Sequence, residues 1–202
     1  MTITWLGHAC FLLESGGFRV LIDPFKGVPG LPDTETEADA VYCSHGHFDH
    51  AYTEKVRLTT GKADPFTVTE VSTFHEDKGG TLRAANTVRK FTAGGVSVAH
   101  LGDLGHPLSA AQLAELGRCD AVLTPVGGYF TIDASTARAV ADAIGANVVV
   151  PMHYRNGPVG FDVLGTLEDF TGLYPAEAVK RYGSTLALER DMPRQVAVLT
   201  LG

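Results

Sequence analysis

Thr2 to Leu6, Cys10 to Glu14, Arg19 to Asp23 and Ala40 to Ser44 are short apolar segments separated by glycine-bearing turns such as Ser15-Gly16-Gly17. Segments of that length bounded by turn residues predict strands of an initial sheet. Thr67 to Phe74 alternates in the strand manner and runs into His75, and Val96 to Leu101 is an apolar segment that delivers Gly102-Asp103. The pattern then changes. Ser109-Ala110-Ala111-Gln112 has the form of a capping box, with Leu113 and Leu116 on one face and Gly117 as the stop. Ala121 to Pro125 reads as a buried strand, Asp133 to Ile144 as a helix ended by Gly145, and Asn147 to Val150 as a buried strand leading to Pro151-Met152-His153. Pro175 to Tyr182 predicts a last helix before Gly183, and Thr185 to Leu188 and Gln195 to Leu201 close the chain as strands. A strand-rich beginning followed by strand and helix in alternation predicts an α/β sandwich, two sheets face to face with helices outside.

Composition narrows the class. The 202 residues suit one domain, residues 1–202, able to bury a core without disulfides or a structural metal. Hydrophobic content of 45% and charged content of 19% are ordinary for a globular protein, and no apolar run approaches a bilayer span. Met1-Thr2-Ile3-Thr4-Trp5-Leu6 lacks a basic leader and reads directly into a strand, so a cytoplasmic protein with no membrane association is expected. A net charge of −7 disfavours nucleic acid as a partner. Cys10, Cys43 and Cys119 are odd in number and show no C-x-x-C pairing, which favours reduced thiols. Cys43 alternates with His45 and comes near the chemistry, though packing is the favoured role.

That chemistry is concentrated in Ser44-His45-Gly46-His47-Phe48-Asp49-His50, which packs three imidazoles and a carboxylate into one loop after an apolar run. In extended chain His45 and His47 point the same way, while Asp49 and His50 belong to the next turn. One ion cannot easily take all four, so the spacing suggests two metals, each needing further ligands. Rigid strand ends hold ligands best. His75 after Val71-Ser72-Thr73-Phe74, Asp103 after Val98-Ala99-His100-Leu101-Gly102, and His153 after Val148-Val149-Val150-Pro151-Met152 satisfy that rule, and His100 competes with His75.

The loop resembles the H-x-H-x-D-H signature of the metallo-β-lactamase superfamily. Further segments extend the resemblance over nearly the whole chain: Trp5-Leu6-Gly7-His8-Ala9, Leu21-Ile22-Asp23-Pro24-Phe25, His100-Leu101-Gly102-Asp103, Pro125-Val126-Gly127-Gly128 and Pro151-Met152-His153-Tyr154. Together they are similar to the small bacterial branch that includes ascorbate-6-phosphate lactonase. The resemblance implies an αββα sandwich with its metal site at one edge of the two sheets. It assigns His45, His47 and His75 to one ion, Asp49, His50 and His153 to the other, and Asp103 to both. His75 is preferred to His100 because Thr73-Phe74-His75-Glu76-Asp77-Lys78-Gly79-Gly80 resembles the third-histidine segment of small family members. His100 is then a strand residue, and His106 a loop residue. His8 and Asp23 end strands and are placed to orient ligands.

Two divalent ions, two aspartates and a bridging hydroxide leave about +1 at such a site, which suits an anionic substrate or a forming oxyanion. The expected function is a dinuclear metal-dependent hydrolase in which metal-bound hydroxide attacks an ester, lactone or phosphodiester-type small molecule, with Asp49 as proton acceptor or orienter. Zinc suits the histidine-rich site, and manganese or iron use the same donors. Arg83, Asn86, Tyr129, Tyr154 and Arg155 adjoin the ligand loops as substrate contacts. The short interval from His50 to His75 leaves little chain for a lid, which is compatible with a homo-oligomer completing the pocket. A di-iron oxygen or nitric oxide reductase is the alternative on this fold, but such relatives carry a carboxylate where His47 stands. A non-catalytic metal or ligand-binding protein is the other alternative.

Overall fold

The computed structural model describes residues 1–76 and 85–202. Strands β1 (Thr2–Gly7), β2 (Cys10–Ser15), β3 (Phe18–Ile22), β4 (Thr36–Ala38), β5 (Ala40–Tyr42), β6 (Val56–Leu58), β7 (Thr67–Phe74), β8 (Ala85–Ala93) and β9 (Val96–His100) precede helix α1 (Ala110–Leu116). Then follow β10 (Ala121–Pro125), α2 (Ala134–Ile144), β11 (Val148–Met152), α3 (Leu167–Thr171), β12 (Val179–Arg181), β13 (Thr185–Ala187) and β14 (Gln195–Val198). One sheet has the order β13-β1-β2-β3-β5, the other β12-β14-β11-β10-β9-β8-β7, and β4 pairs with β6.

The sheets pack face to face as an α/β sandwich because alternate residues of the first, such as Ile3, Phe11, Leu13 and Val20, are buried in one cluster with Val71, Val88, Phe91 and Val98 of the second. β10 and β11 are parallel and buried along their whole length, as expected of central strands covered on both faces. On the outer face of that sheet, α2 contributes Ala137, Val140, Ala141 and Ile144 to the same core. The other face of the first sheet closes over Cys10, Leu21, Phe25, Val28 and Ala38, with Leu31 and Phe161 packed against them. Among the described residues no helix is long and apolar enough to cross a membrane.

The capping box forms as read: Ser109 Oγ accepts from Gln112 N–H, Gln112 Oε1 accepts from Ser109 N–H, and Gly117 at φ 64 ends α1. Asp133 caps α2 and Gly145 ends it at φ 75. The expected helix over Pro175 to Tyr182 does not form. A single 3-10 turn at Ala176–Ala178 gives way to β12, whose Val179, Lys180 and Arg181 pair in parallel with Val196, Ala197 and Val198. Sheet hydrogen bonds at an open edge outweigh the helical preference of Ala-Glu-Ala, a tertiary effect that local sequence does not carry. β8, which the charged pair Arg89-Lys90 disguises, adds a long strand between β7 and β9.

Candidate metal centre

Register places the candidate donors together. His100 of β9, Leu123 of β10 and Val150 of β11 are level with one another, so Asp103 and His153, each three residues further on, leave neighbouring strand ends at one height. In the other sheet Ile22 is level with Phe11 and with Tyr42, which sends Asp23 and Ser44 to the same edge as the His8 turn between β1 and β2. His75 follows the last residue of β7. Tight turns make this convergence possible. His8, Asp23 and His153 adopt φ of 52°, 48° and 52°, a conformation that costs a non-glycine residue about 1–3 kcal/mol and clusters at functional sites. Gly102 sits at φ 55, where a Cβ would lie 2.3 Å from Asn86 Oδ1 and 2.5 Å from Ser44 Cβ, so only glycine lets the Asp103 loop approach the motif.

His45, His47 and His75 form one group of converging donor atoms, and His8, Asp49, His50 and His153 a second; His45, His50 and Asp103 link them. His45 Nε2 lies 3.0 Å from His47 Nδ1. Two nitrogens at roughly 2.0–2.1 Å from one tetrahedral ion stand about 3.3 Å apart, so the pair is spaced for a shared ion. Asp103 reaches both groups: Oδ1 is 3.2 Å from His50 Nε2, and Oδ2 is 2.9 Å from His75 Nε2 and 3.5 Å from His153 Nε2. Asp49 Oδ2 stands 3.4 Å from His8 Nε2 and 3.9 Å from His50 Nε2. His50 Nε2, Asp103 Oδ1, His75 Nδ1, His153 Nδ1 and both ring nitrogens of His8 are buried without a hydrogen-bond partner. Buried polar atoms are rarely left unpaired, and here they belong to residues whose ligating atoms lie within 4.8 Å of one another, which fits a cation.

A single buried carboxylate orients both groups. Asp23, wholly buried, accepts from Ser44 N–H at 2.6 Å on Oδ1, and on Oδ2 from Ser44 Oγ–H at 2.6 Å and His50 Nδ1–H at 2.9 Å. With its proton committed, Ser44 Oγ accepts from His45 Nδ1–H at 2.9 Å. Both His45 and His50 are therefore oriented by Nδ1 so that Nε2 faces the centre. His100 is excluded by the same reasoning: its Nε2–H donates to Ala9 O at 2.8 Å and its Nδ1 accepts from Gly102 N–H at 3.1 Å. His106 likewise accepts from Phe74 N–H and donates to Pro107 O.

Burial lowers the pKa of His45 to about 4, with His50 next to it adding to the effect, and burial lowers that of His153 to about 3. His8 and His47 are lowered by burial as well. Neutral imidazole is the form that ligates. Burial opposes ionisation of Asp49, yet His8 beside it at 3.4 Å and the charge of His50 bring its pKa down to about 2. Asp103 is held well below the ordinary carboxylate range against its burial by His153 and His50, while His50, despite burial, is raised by Asp103 and Asp23.

A cavity of about 310 Å³ opens on the donors, lined by His47, Phe48, Asp49, His75, Asp103, Phe130 and Phe161. The residues expected to touch substrate are scattered. Asn86 is buried beneath the site, where its amide donates to Thr73 Oγ1 and Leu101 O and its Oδ1 accepts from Asp103 N–H at 3.0 Å; it positions Asp103. Tyr154 is buried and stacks on Trp5 at 5.7 Å between ring centroids. Arg155 is bound by backbone to Gly165 and is not among the cavity residues. Tyr129 is exposed, its ring 4.7 Å from that of Phe130 at the cavity. Arg83 lies outside the described residues. Cys43 is half-buried, and Cys10 and Cys119 are buried free thiols. Sequence reasoning missed Ser44 as a link, although it adjoins the motif, and the three cavity phenylalanines, of which only Phe48 carried a signal by its place inside the motif.

The model of the β-lactamase superfamily domain matches residues 2–153. A UPF0173 metal-dependent hydrolase of Archaeoglobus fulgidus is 33% identical, covering 79% of this chain and 85% of its own. That of Methanosphaerula palustris is 32% identical over 100% of this chain and 98% of its own. A solved Thermotoga maritima structure, described as a candidate zinc-dependent hydrolase of the metallo-β-lactamase superfamily, shares 36% identity with a TM-score of 0.80, covering 100% of this chain and 99% of that one. An isothiocyanate hydrolase from Delia radicum gut bacteria, 15% identical with a TM-score of 0.63 over 86% of this chain and 91% of its own, shares the fold. With the signature loop, the sandwich and these matches in agreement, the chain belongs to the metallo-β-lactamase superfamily and is related to the UPF0173-type metal-dependent hydrolases.

Proposed function

We propose that this protein is a dinuclear metal-dependent hydrolase of small ester, lactone or phosphodiester-type substrates whose scissile group develops negative charge in the reaction. The observation that carries the reading is the convergence of ligating atoms from His8, Asp49, His50 and His153 and from His45, His47 and His75, with Asp103 against both groups. His45, His47 and His75 would hold one ion and Asp49, His50 and His153 the other, with Asp103 in reach of both; zinc suits these donors, and manganese or iron can use them. Bound there, the ions would lower the pKa of water to about 7 and polarise the scissile oxygen. Asp49, ionised and steadied by His8 at 3.4 Å, accepts the proton of the attacking water at its carboxylate and passes it to the leaving oxygen. Asp23 and Ser44 keep His45 and His50 turned toward the centre, and Asn86 fixes the Asp103 loop. Lactones stay among the candidates on the sequence resemblance alone.

Elemental analysis of protein purified without chelator, paired with a turnover panel of lactones, carboxylic esters and phosphodiesters, tests the reading. About two ions per chain and hydrolysis of at least one class are expected. A reproducible value of one or fewer, unmoved by added zinc or manganese and without turnover, would overturn it.

A further inference from the structure

Phe48, Phe130 and Phe161 reach the cavity from three separate loops: the motif loop after β5, the segment between β10 and α2, and the segment between β11 and α3. Phe130 and Phe161 meet edge to face at 6.3 Å, and Phe161 continues to the His8 ring at 5.8 Å, so the apolar wall is continuous with the donor cluster. Phe48 is 53% exposed although it lies between His47 and Asp49. Sharing the cavity with Phe130 and Phe161, it extends an apolar lining up to the metal-type donors. Among the described residues no lysine or arginine lines the cavity. At about 310 Å³ it has room for a phenyl-sized group and a scissile bond and lies at the small end of ligand pockets.

We propose that the site takes carboxylic esters or lactones whose carbonyl lies at the donors and whose apolar, ring-bearing substituent is held by Phe48, Phe130 and Phe161. The inference rests on the hydrolase reading above and narrows it. Phenyl faces offer edge-to-face contact to such a ring and no hydrogen bond to the oxygens of a phosphodiester. In the reaction the water oxygen bonds to the carbonyl carbon and the acyl C–O bond breaks with its electron pair on the alcohol oxygen. One water proton ends on the alcohol and the other is released as the acid ionises, so no co-reactant is required.

The test compares methyl phenylacetate with methyl acetate on the metal-loaded protein, following acid release. The phenyl compound should have a kcat/KM at least about tenfold higher, the scale of one well-filled apolar subsite. That ratio should fall at least about fivefold in Phe48→Ala and in Phe130→Ala. Phe48 is exposed, so its truncation leaves the core intact, and thermal melting verifies both variants. A wild-type ratio near one, or a ratio unaltered in both variants, would overturn the subsite. Benzyl alcohol binding by saturation-transfer NMR separates this from failure of the hydrolase reading. If neither ester is turned over, ring saturation lost in Phe48→Ala still supports the subsite, and absence of saturation in the wild type refutes it.

Discussion

The two donor groups at the sandwich edge differ in how they are held. His45, His47 and His75 form an all-imidazole group whose outer members face the cavity, whereas His8, Asp49, His50 and His153 include a carboxylate and three histidines almost free of solvent. His50 is fastened directly to Asp23; His45 is fastened to the same carboxylate only through Ser44. Among the described residues Asp103 is the carboxylate within 3.5 Å of His75 on one side and of His50 and His153 on the other. The first group contains no carboxylate of its own and meets Asp103 through His75, while the second includes Asp49. His47 and His75 of the first group and Asp49 of the second line the cavity, while His8, His50 and His153 lie buried behind them.

Asp103→Asn should break that pairing with the largest effect. Removing the shared charge is expected to lower metal content from about two ions toward one and kcat/KM by about a thousandfold or more, with the ion at the Asp49 group retained. Metal content, circular dichroism and turnover on one sample decide; two ions with normal activity would mean that Asp103 is not shared. His75→Ala should empty the all-imidazole group, whereas His100→Ala, which removes two buried backbone hydrogen bonds, should cost about 2–4 kcal/mol of stability and leave metal content intact. Thermal melts with metal analysis distinguish them.

Asp23→Asn should weaken both groups by about 10–100-fold in metal affinity, and Ser44→Ala only the His45 group and by less, because His50 keeps its direct partner. Chelator competition measures each. The smallest effect is on pH. In metal-free protein His45 has its pKa lowered by burial to about 4, so between about pH 4 and the ordinary value near 6.5 the unfolded chain binds more protons there and stability rises with pH. His153, lowered to about 3, acts in the same direction, while His50 and His75, both raised, act the other way near pH 6.5 and cease to once the unfolded chain is protonated, so the fall is concentrated toward pH 4. Denaturant midpoints of chelated protein should fall as pH drops from 6.5 toward 4; a midpoint constant across that window would contradict the buried, neutral histidines.

Much of this was legible without coordinates, for identifiable reasons. The motif from His45 to His50 is contiguous, so its candidate donors are visible by spacing, and His75, Asp103 and His153 stand out as candidates by following apolar strands. α1 and α2 carry their own caps. Pro175 to Tyr182 misled because its helical preference is local, while the pairing with β14 that makes Val179–Arg181 a strand is not. Asn86 looked like a substrate contact because it lies in a presumed ligand region; only the level of β8 beside β9 shows its amide bonded under Asp103.

By itself, the sequence determined the sandwich class, the superfamily and the donor types, because periodicity, caps and a seven-residue motif are properties of neighbouring residues. The tertiary structure alone decided that one Asp23 carboxylate serves both donor groups, that His8 joins the second of them, that His100 is spent on backbone, and that three phenylalanines share a cavity. These are contacts between distant segments, set by strand register and tight turns, and no local pattern encodes which strand ends come to lie side by side.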